Sequence, residues 1–411
     1  MLISGCRALD LTDEKGFLCG KILADLGVDV IKVERPGGDP SRRIGPFWHD
    51  IPSPENSLNW FAYNSNKRGI TLNIETADGR EILKELVKTS GFIIESFPPG
   101  YMENVGLGYS VLDNTKNGII LTSITPFGQS GPYRDYQATD MVTMGMAGML
   151  YLTGDSDRPP LNMSIPQSYA LAGADAAVGT MIAYYHRTMT GEGQHVDISV
   201  QQSVAWFLGA AIPYWEVNRI LLERVGTFRS GISREIVQRQ VWACKDGYVF
   251  FHWVGGLTGA KTGRQIVKWM DEEGMRDEYL RAMEWESFDM DTATQEVINQ
   301  ISKPLQEFLL LHTKKEILDE SVKRNISICP LSNMEDLLND ANLKAREFWV
   351  DIEHPELGTN ITYPRQFVRS SEEAPVTRFR APLIGEHNKE VYTELGLSRQ
   401  DLVILKGASV I

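Results

Sequence analysis

The sequence predicts an α/β protein: a parallel sheet in a large domain, with a smaller α+β domain inserted into it. Three observations point there. Strand-like and helical apolar spacings alternate over the first 125 residues. A long Ala- and Gly-rich helix and another strand follow before residue 200. The pattern then changes near Asn218.

Cys6 to Leu11 reads as a strand. Gly16 to Leu26 carries Phe17, Leu18, Ile22, Leu23 and Leu26 at helical spacing, and Gly27 is placed to cap that helix. Val28 to Val33 is the next strand, ended by Glu34, Arg35 and Pro36. A strand, helix and strand within about thirty residues imply a parallel pair with a right-handed crossover. The rhythm repeats with a strand at Gly69–Leu72, a helix at Asp78–Thr89, and strands at Gly91–Glu95 and Gly118–Ser123. Open sheets of this kind bind ligands at the carboxyl ends of their strands. Those ends carry Glu34-Arg35-Pro-Gly-Gly, Glu95-Ser-Phe-Pro-Pro-Gly100 and Thr125-Pro-Phe-Gly-Gln-Ser-Gly-Pro132.

Ala170 to Met189 is a helix whose small residues, among them Ala172, Gly173, Ala176 and Ala177, allow another backbone to approach closely. Gln194 to Val200 follows as a strand. Trp242 to Trp253 reads as strand and turn around Asp246-Gly247, with polar helices at Lys303–His312 and Lys315–Lys323. The smaller domain is expected over 218–325. Beyond it lie Pro-rich loops, a strand-like stretch at Thr377–Ala381 and a short final helix.

Composition narrows the function. Among 411 residues, 41 Lys+Arg against 54 Asp+Glu leave a net charge of −13, which argues against nucleic acid as a partner. Cys6, Cys19, Cys244 and Cys329 are scattered, so reduced thiols are expected rather than a zinc site or disulfides. Neither a signal peptide nor a membrane span is legible, and a cytoplasmic protein is expected. The first βα turn, Asp13-Glu-Lys-Gly-Phe-Leu-Cys-Gly20, lacks the dinucleotide spacing G-x-G-x-x-G. Glu34 ends the second strand where a ribose-binding acid would sit, but a strand-terminal charge is the plainer reading. There is no P-loop and no G-x-S-x-G elbow. The seven histidines show no metal spacing, and His186 reads as a packed or hydrogen-bonded side chain.

What remains is a set of short stretches in order: Arg7-Ala-Leu-Asp-Leu-Thr12, Leu23-Ala-Asp-Leu-Gly-Val-Asp-Val-Ile-Lys-Val-Glu-Arg-Pro36 with Gly38-Asp39, Asn64-Ser-Asn-Lys-Arg-Gly-Ile-Thr-Leu72 and Glu95-Ser-Phe-Pro-Pro-Gly100. Gly106-Leu-Gly-Tyr109, Phe127-Gly-Gln-Ser-Gly-Pro132, Arg187-Thr-Met-Thr-Gly-Glu-Gly-Gln-His-Val-Asp197, Ala381-Pro-Leu-Ile-Gly-Glu-His-Asn388 and Leu395-Gly-Leu397 complete it. As a set they resemble the family III CoA-transferases, which include formyl-CoA, carnitine and bile-acid CoA-transferases and the related methylacyl-CoA racemases. The resemblance implies a Rossmann-like large domain built from both chain ends (1–217 and 326–411), and two ring-like chains interlocked as a dimer. It implies coenzyme A or an acyl-CoA as ligand and substrate, with no metal. By position the CoA contacts would be Arg35, Leu72, Asn73, Ser96 and Phe97, with Lys15 and Asn104 beside them. Arg35 can pair a phosphate, and Phe97 can pack against adenine or the pantetheine arm.

Family members use an aspartate nucleophile just before the small-residue helix, and that position here is Tyr169 in Ile165-Pro-Gln-Ser-Tyr-Ala-Leu-Ala-Gly173. The reaction passes through an anhydride and a thioester of the carboxylate, neither of which a phenol can form. Asp175 is the fallback carboxylate. Asp155 and Asp157 read as solvated turn acids. The histidine that racemases place before Asp140 is Thr139 here, and the family's glycine-rich active-site loop is reduced to Arg229-Ser-Gly231. Some members are heteromers in which one chain lacks the aspartate. The turn Asp13-Glu-Lys-Gly16, the stretch Ser123-Ile-Thr-Pro-Phe-Gly128 and Tyr169 resemble that chain, in particular the subgroup acting on succinyl-CoA and an aromatic succinate such as benzylsuccinate in anaerobic toluene degradation. The expected partner is a homologous, aspartate-bearing subunit in a heterodimer or heterotetramer.

Overall fold

The computed structural model describes residues 3, 5–230, 236–290, 292–365, 367–371 and 377–411. The chain divides into two compact units. The larger comprises Met1–Leu150, Asn162–Ile220 and Ala341–Ile411, and the smaller Tyr151–Leu161 and Leu221–Asp340.

The larger unit opens with β1 (Arg7–Leu11), α1 (Phe17–Asp25) and β2 (Asp29–Glu34). α2 (Leu58–Asn64), β3 (Arg68–Thr71), α3 (Ala77–Lys88), β4 (Phe92–Glu95), α4 (Tyr101–Asn104), α5 (Tyr109–Thr115) and β5 (Ile120–Thr125) follow. α6 (Asp140–Met146), α7 (Gln167–Thr190) and β6 (Gln194–Ser199) complete the sheet and its crossovers. The six strands are all parallel and run in the order β3-β2-β1-β4-β5-β6. The order reverses between β1 and β4, which makes a crevice at their carboxyl ends.

Strand residues alternate between the two faces, as their period of two requires. Leu9, Leu11, Ile31, Val33, Ile93 and Leu121 pack on one side with Leu83, Leu86 and Val87 of α3. Ala8, Val30, Phe92, Ile94 and Ile120 pack on the other with Leu23 of α1 and Ala172, Ala176 and Ala183 of α7. Both faces are covered, which is why these strands read as near-continuous apolar runs. The small residues of α7 do what the sequence suggested. A Cβ on Gly173 would lie 2.9 Å from Leu18 Cβ and 3.3 Å from the Cys19 nitrogen, so α1 and α7 meet almost backbone to backbone. Gly27 follows α1 with φ of +103°, a conformation that suits glycine at a helix end.

In the smaller unit, Val241–Cys244 and Gly247–Phe250 form an antiparallel pair around the turn expected at Asp246-Gly247, and Cys329–Pro330 adds a third strand. That pairing carries the unit past residue 325. The helix expected at 303–312 begins earlier, at Gln295, and accommodates Pro304. The next helix, Lys314–Arg324, is stabilised by a capping box between Thr313 and Glu316. The core is rich in tryptophan: Trp253 stacks on Trp285 at 5.3 Å, and Trp242 and Trp269 are buried beside them.

Two sequence expectations are corrected. Thr377–Ala381 is not a strand, because the Asn66 side chain takes the backbone N–H groups of Arg378 and Phe379 that a ladder would use. The single final helix is two, Asn388–Glu394 and Arg399–Gly407, separated around Gly396 at φ +85°. The loop reading at Arg229-Ser-Gly231 ends outside the described residues, since Gly231 is not among them. Among the described residues no helix is long and apolar enough to cross a membrane, and the four cysteines are free.

Candidate functional site

The carboxyl ends of the strands enclose a cavity of about 960 Å³. Strands β1 to β5 deliver the wall through the segments that follow them. β1 ends in Leu11 and leads to Asp13 and Lys15; β2 leads to Arg35; β3 leads to Leu72 and Asn73; β4 leads to Ser96 and Phe97. Six of the seven residues expected to contact CoA therefore share one cavity. Asn104 does not. It is the exposed last residue of α4, its backbone N–H returning to the Gly100 carbonyl.

The turn after β1 is tied to the turn after β4. The Asp13 N–H donates to Ser96 Oγ at 2.8 Å, and Ser96 Oγ donates to Asp13 Oδ1 at 2.8 Å. Lys15 is ion-paired with Asp13, so its charge is already partly spent. Leu72 is buried and gives its N–H to the Glu34 carbonyl. The Asn73 N–H donates to the Val410 carbonyl at 2.7 Å, and its side-chain oxygen accepts from the Glu75 N–H. Phe97 packs on Tyr101 with ring centroids 4.5 Å apart.

Arg35 differs from the other cations of the wall. It is exposed, and among the described residues it has no carboxylate partner. A guanidinium so placed has its full fork of donors available to a phosphate. Glu34, one residue earlier, is unavailable to a ribose. It is buried and bidentate to Arg42, Nε to Oε2 at 2.6 Å and Nη2 to Oε1 at 2.8 Å, and the Arg42 guanidinium lies 3.8 Å over the Trp60 ring.

Tyr169 is in the first turn of α7, half-buried against the Ala-lined face of the sheet. Burial holds its phenol proton on, well above the ordinary range, and the carboxylates of Glu14, Asp13 and Asp140 act in the same direction. Tyr169 is thus a neutral hydroxyl beside the turn that follows β1. Asp175 lies six residues on, about 9 Å along the helix axis, and neither it nor Tyr169 lines the cavity. Asp155 and Asp157 belong to the smaller unit, where Asp155 closes a turn with the Arg158 N–H.

Among the wall residues that the sequence reading did not name are Arg134, Tyr101 and Ser409. Arg134 follows the Gly-Pro-Tyr after β5 and adds a cation, paired with Asp135 at 3.2 Å; a basic residue just beyond a strand end was the available signal. Tyr101 was hidden by its position in a short helix. Ser409 reaches the cavity from the far end of the chain, and no local pattern could announce that. Among the described residues no group of three or more His, Cys, Asp or Glu is arranged to hold a metal ion.

Comparison with known proteins converges on one family. The family model described as CoA-transferase family III matches residues 3–388. The chain is 32% identical over 397 residues to the succinyl-CoA:(R)-benzylsuccinate CoA-transferase subunit BbsE of Thauera aromatica, covering 95% of this chain and 93% of that one. It is 31% identical over 430 residues to a formyl-CoA:oxalate CoA-transferase of Streptomyces avermitilis, covering 100% of this chain and 99% of that one. Among solved structures, a CAIB/BAIF family protein from Brucella suis superposes with a TM-score of 0.82 at 27% identity, over 95% of this chain and 98% of that one.

Proposed function

The chain belongs to CoA-transferase family III, and from that premise we propose that it is the supporting subunit of a heteromeric transferase that moves CoA from an acyl-CoA to a carboxylic acid. The observation that carries this reading is Tyr169. It occupies the place of the family nucleophile, and its proton is held by burial and by three neighbouring carboxylates. A neutral phenol there can fill space and donate a hydrogen bond. It cannot become the anhydride and thioester that the reaction needs.

In this reading a homologous partner brings the aspartate. Its carboxylate attacks the thioester carbonyl, the C–S bond breaks, and CoA leaves as the thiolate from a mixed anhydride. Thiolate return gives an aspartyl thioester and frees the donor acid. The acceptor carboxylate attacks that thioester to form a second anhydride, the thiolate attacks its acceptor carbonyl, and the aspartate is released with the new acyl-CoA. This chain's cavity takes a CoA ester, with Arg35 on a phosphate and the Phe97–Tyr101 pair against the adenine or pantetheine. Likeness to a relative named as a subunit supports the heteromer, and that relative's name supports succinyl-CoA as donor and an aromatic succinate such as benzylsuccinate as acceptor.

The surface of the larger unit supports a closely associated, interlocked partner. Val178, Ile182, Tyr185 and Met189 form an apolar row along α7 and are 59%, 65%, 69% and 71% exposed. Trp206 and Phe207 add 80% and 69% exposed aromatic surface. Apolar area of that extent marks an interaction surface.

The test is CoA transfer by this chain alone, by an aspartate-bearing homologue alone, and by the two co-expressed. Activity that needs both chains, and that survives Tyr169→Phe, is the expected result. Transfer by this chain alone would overturn the reading and direct attention to Asp175. CoA binding without transfer in any combination would make the protein a CoA-ester binder.

A further inference from the structure

β3 is an edge strand, paired with β2 along one side only. Along the other side its backbone groups have no strand to bond. A segment from the far end of the chain takes them. The Gly69 carbonyl accepts the His387 N–H at 2.9 Å, and the Gly69 N–H donates to His387 Nδ1 at 3.1 Å. The Asn388 side chain holds Thr71 in two places: Oδ1 accepts the Thr71 N–H at 2.8 Å, and Nδ2 donates to Thr71 Oγ1 at 2.8 Å. The Tyr392 hydroxyl donates to the Thr71 carbonyl at 2.5 Å. His387 and Asn388, which end the stretch Ala381–Asn388, thus act as a substitute strand. Thr71 and Tyr392 are buried, so a bond removed there leaves a buried group unpaired.

Building on the reading of the cavity as a CoA-ester site, we propose that Asn388 and Tyr392 are positioning residues: by fixing Thr71 they set Leu72 and Asn73 in the cavity wall. Neither Asn388 nor Tyr392 lines the cavity, whereas Leu72 and Asn73, which follow Thr71 directly, both do. The Asn73 side-chain oxygen is held by the Glu75 N–H at 3.1 Å, which leaves Nδ2 as the group this residue can offer a ligand. Its backbone N–H is tied to Val410, next to the wall residue Ser409. One side of the cavity is therefore aligned by residues 388–410. A wall that is aligned only part of the time lowers the apparent affinity for the ligand in proportion.

The experiment uses the full chain with CoA as the probe. Affinity is measured by calorimetry, amide exchange on the Thr71–Ile74 peptide without ligand, and stability by urea unfolding. Asn388→Ala removes both side-chain bonds to Thr71. Tyr392→Phe removes one hydroxyl, keeps the ring in the core, and serves if the first variant does not fold. Thr180→Ala is the control: it deletes a buried hydroxyl bonded to Thr122 in the same unit, off the cavity wall. Asn388→Ala is expected to bind CoA about three- to tenfold more weakly, and Tyr392→Phe about two- to threefold, each with faster exchange of the peptide. Thr180→Ala should lose stability but keep wild-type affinity and exchange. Wild-type affinity in Asn388→Ala overturns the proposal. Weaker binding without faster exchange, or an equal loss of affinity in Thr180→Ala, overturns it too. If the wild type itself does not bind CoA, the cavity reading fails and exchange alone decides: a peptide that exchanges faster in Asn388→Ala but not in Thr180→Ala upholds the positioning role, and any other pattern refutes it.

Discussion

The Asp140 carboxylate accepts two hydrogen bonds from Ser168, the backbone N–H at 2.9 Å and the hydroxyl at 2.7 Å. Both go to Oδ1, and Thr143 Oγ1 donates to the same Ser168 hydroxyl at 2.9 Å. The start of α6 thereby fixes the first turn of α7, one residue before Tyr169. Asp140→Ala leaves a buried N–H and a buried hydroxyl without their acceptor, which costs about 1–3 kcal/mol. Ser168→Ala removes only the hydroxyl and should cost less. Urea unfolding of the two variants checks the order, and equal losses would show that the backbone bond carries nothing.

Tyr169 makes a second prediction through its neutrality. If its hydroxyl does no chemistry, Tyr169→Phe in the co-expressed enzyme should keep kcat within about threefold, the effect of one neutral hydrogen bond. Hydroxylamine trapping during turnover should label the partner's aspartate and leave the peptide bearing Tyr169 and Asp175 unmodified. A hydroxamate at Asp175, read by peptide mass mapping, would contradict the assignment.

Legibility in the sequence tracked how local each feature is. β1, α1 and β2 were readable because one helical face and two apolar runs lie within thirty residues, and the strand ends then pointed to Arg35, Ser96 and Phe97, while Lys15, Leu72 and Asn73 came from the family resemblance. Gly173 was readable as a close contact, though not its partner Leu18. Thr377–Ala381 misled because its alternation looked like a strand, while the deciding group, the Asn66 side chain, is 311 residues from Thr377 by subtraction of the two residue numbers. Ser409 and the Asp140–Ser168 bonds were invisible for the same reason. Asn104 was placed by likeness alone, and α4 turns it outward.

Among the described residues Arg35 is the wall cation without a carboxylate partner, so its loss should be felt chiefly by the ligand. Arg35→Ala should weaken CoA binding by about tenfold or more, in the range of one charge-assisted hydrogen-bonded pair. Arg35→Lys should recover only part, because a point charge replaces a planar fork. Arg134→Ala should cost less, since Asp135 already engages Arg134. Titration with CoA at two salt concentrations separates these effects, and thermal unfolding of Arg35→Ala should stay near the wild-type midpoint because the side chain is exposed.

The α1–α7 contact predicts a packing penalty. Gly173→Ala brings a methyl to 2.9 Å from Leu18 Cβ and 3.3 Å from the Cys19 nitrogen, and at least one of those is fixed backbone. Overpacking of this kind costs about 1–3 kcal/mol despite the gain in helix propensity. Gly179→Ala meets only the Val196 and Ile198 side chains, which can turn aside, and should be milder. A comparison of unfolding midpoints tests whether backbone approach, rather than helix preference, sets the residue at 173.

The pH dependence of stability has a definite sign at Glu95. Its carboxyl lies at about 7 in the folded protein, against an ordinary value of 4.5, chiefly because burial disfavours the charge. Between those values the folded chain holds a proton that the unfolded chain releases, so stability falls as pH rises. The contribution is complete below about 4.5 and gone above about 7, with a ceiling of about 3 kcal/mol. His195, His354 and His387 work oppositely: burial lowers each, so around neutral pH they favour the folded state as pH rises. Asp10 and Asp29, held below their ordinary value against the opposing effect of burial by Lys67 and Lys32 and by Arg68 and Arg7 respectively, contribute only at more acid pH. The difference between wild type and Glu95→Gln cancels these shared contributions. Relative to Glu95→Gln, the wild type should lose stability between pH 5 and 8, measured by urea unfolding at each pH, and a difference that stays constant would place the ionisation of Glu95 outside that interval.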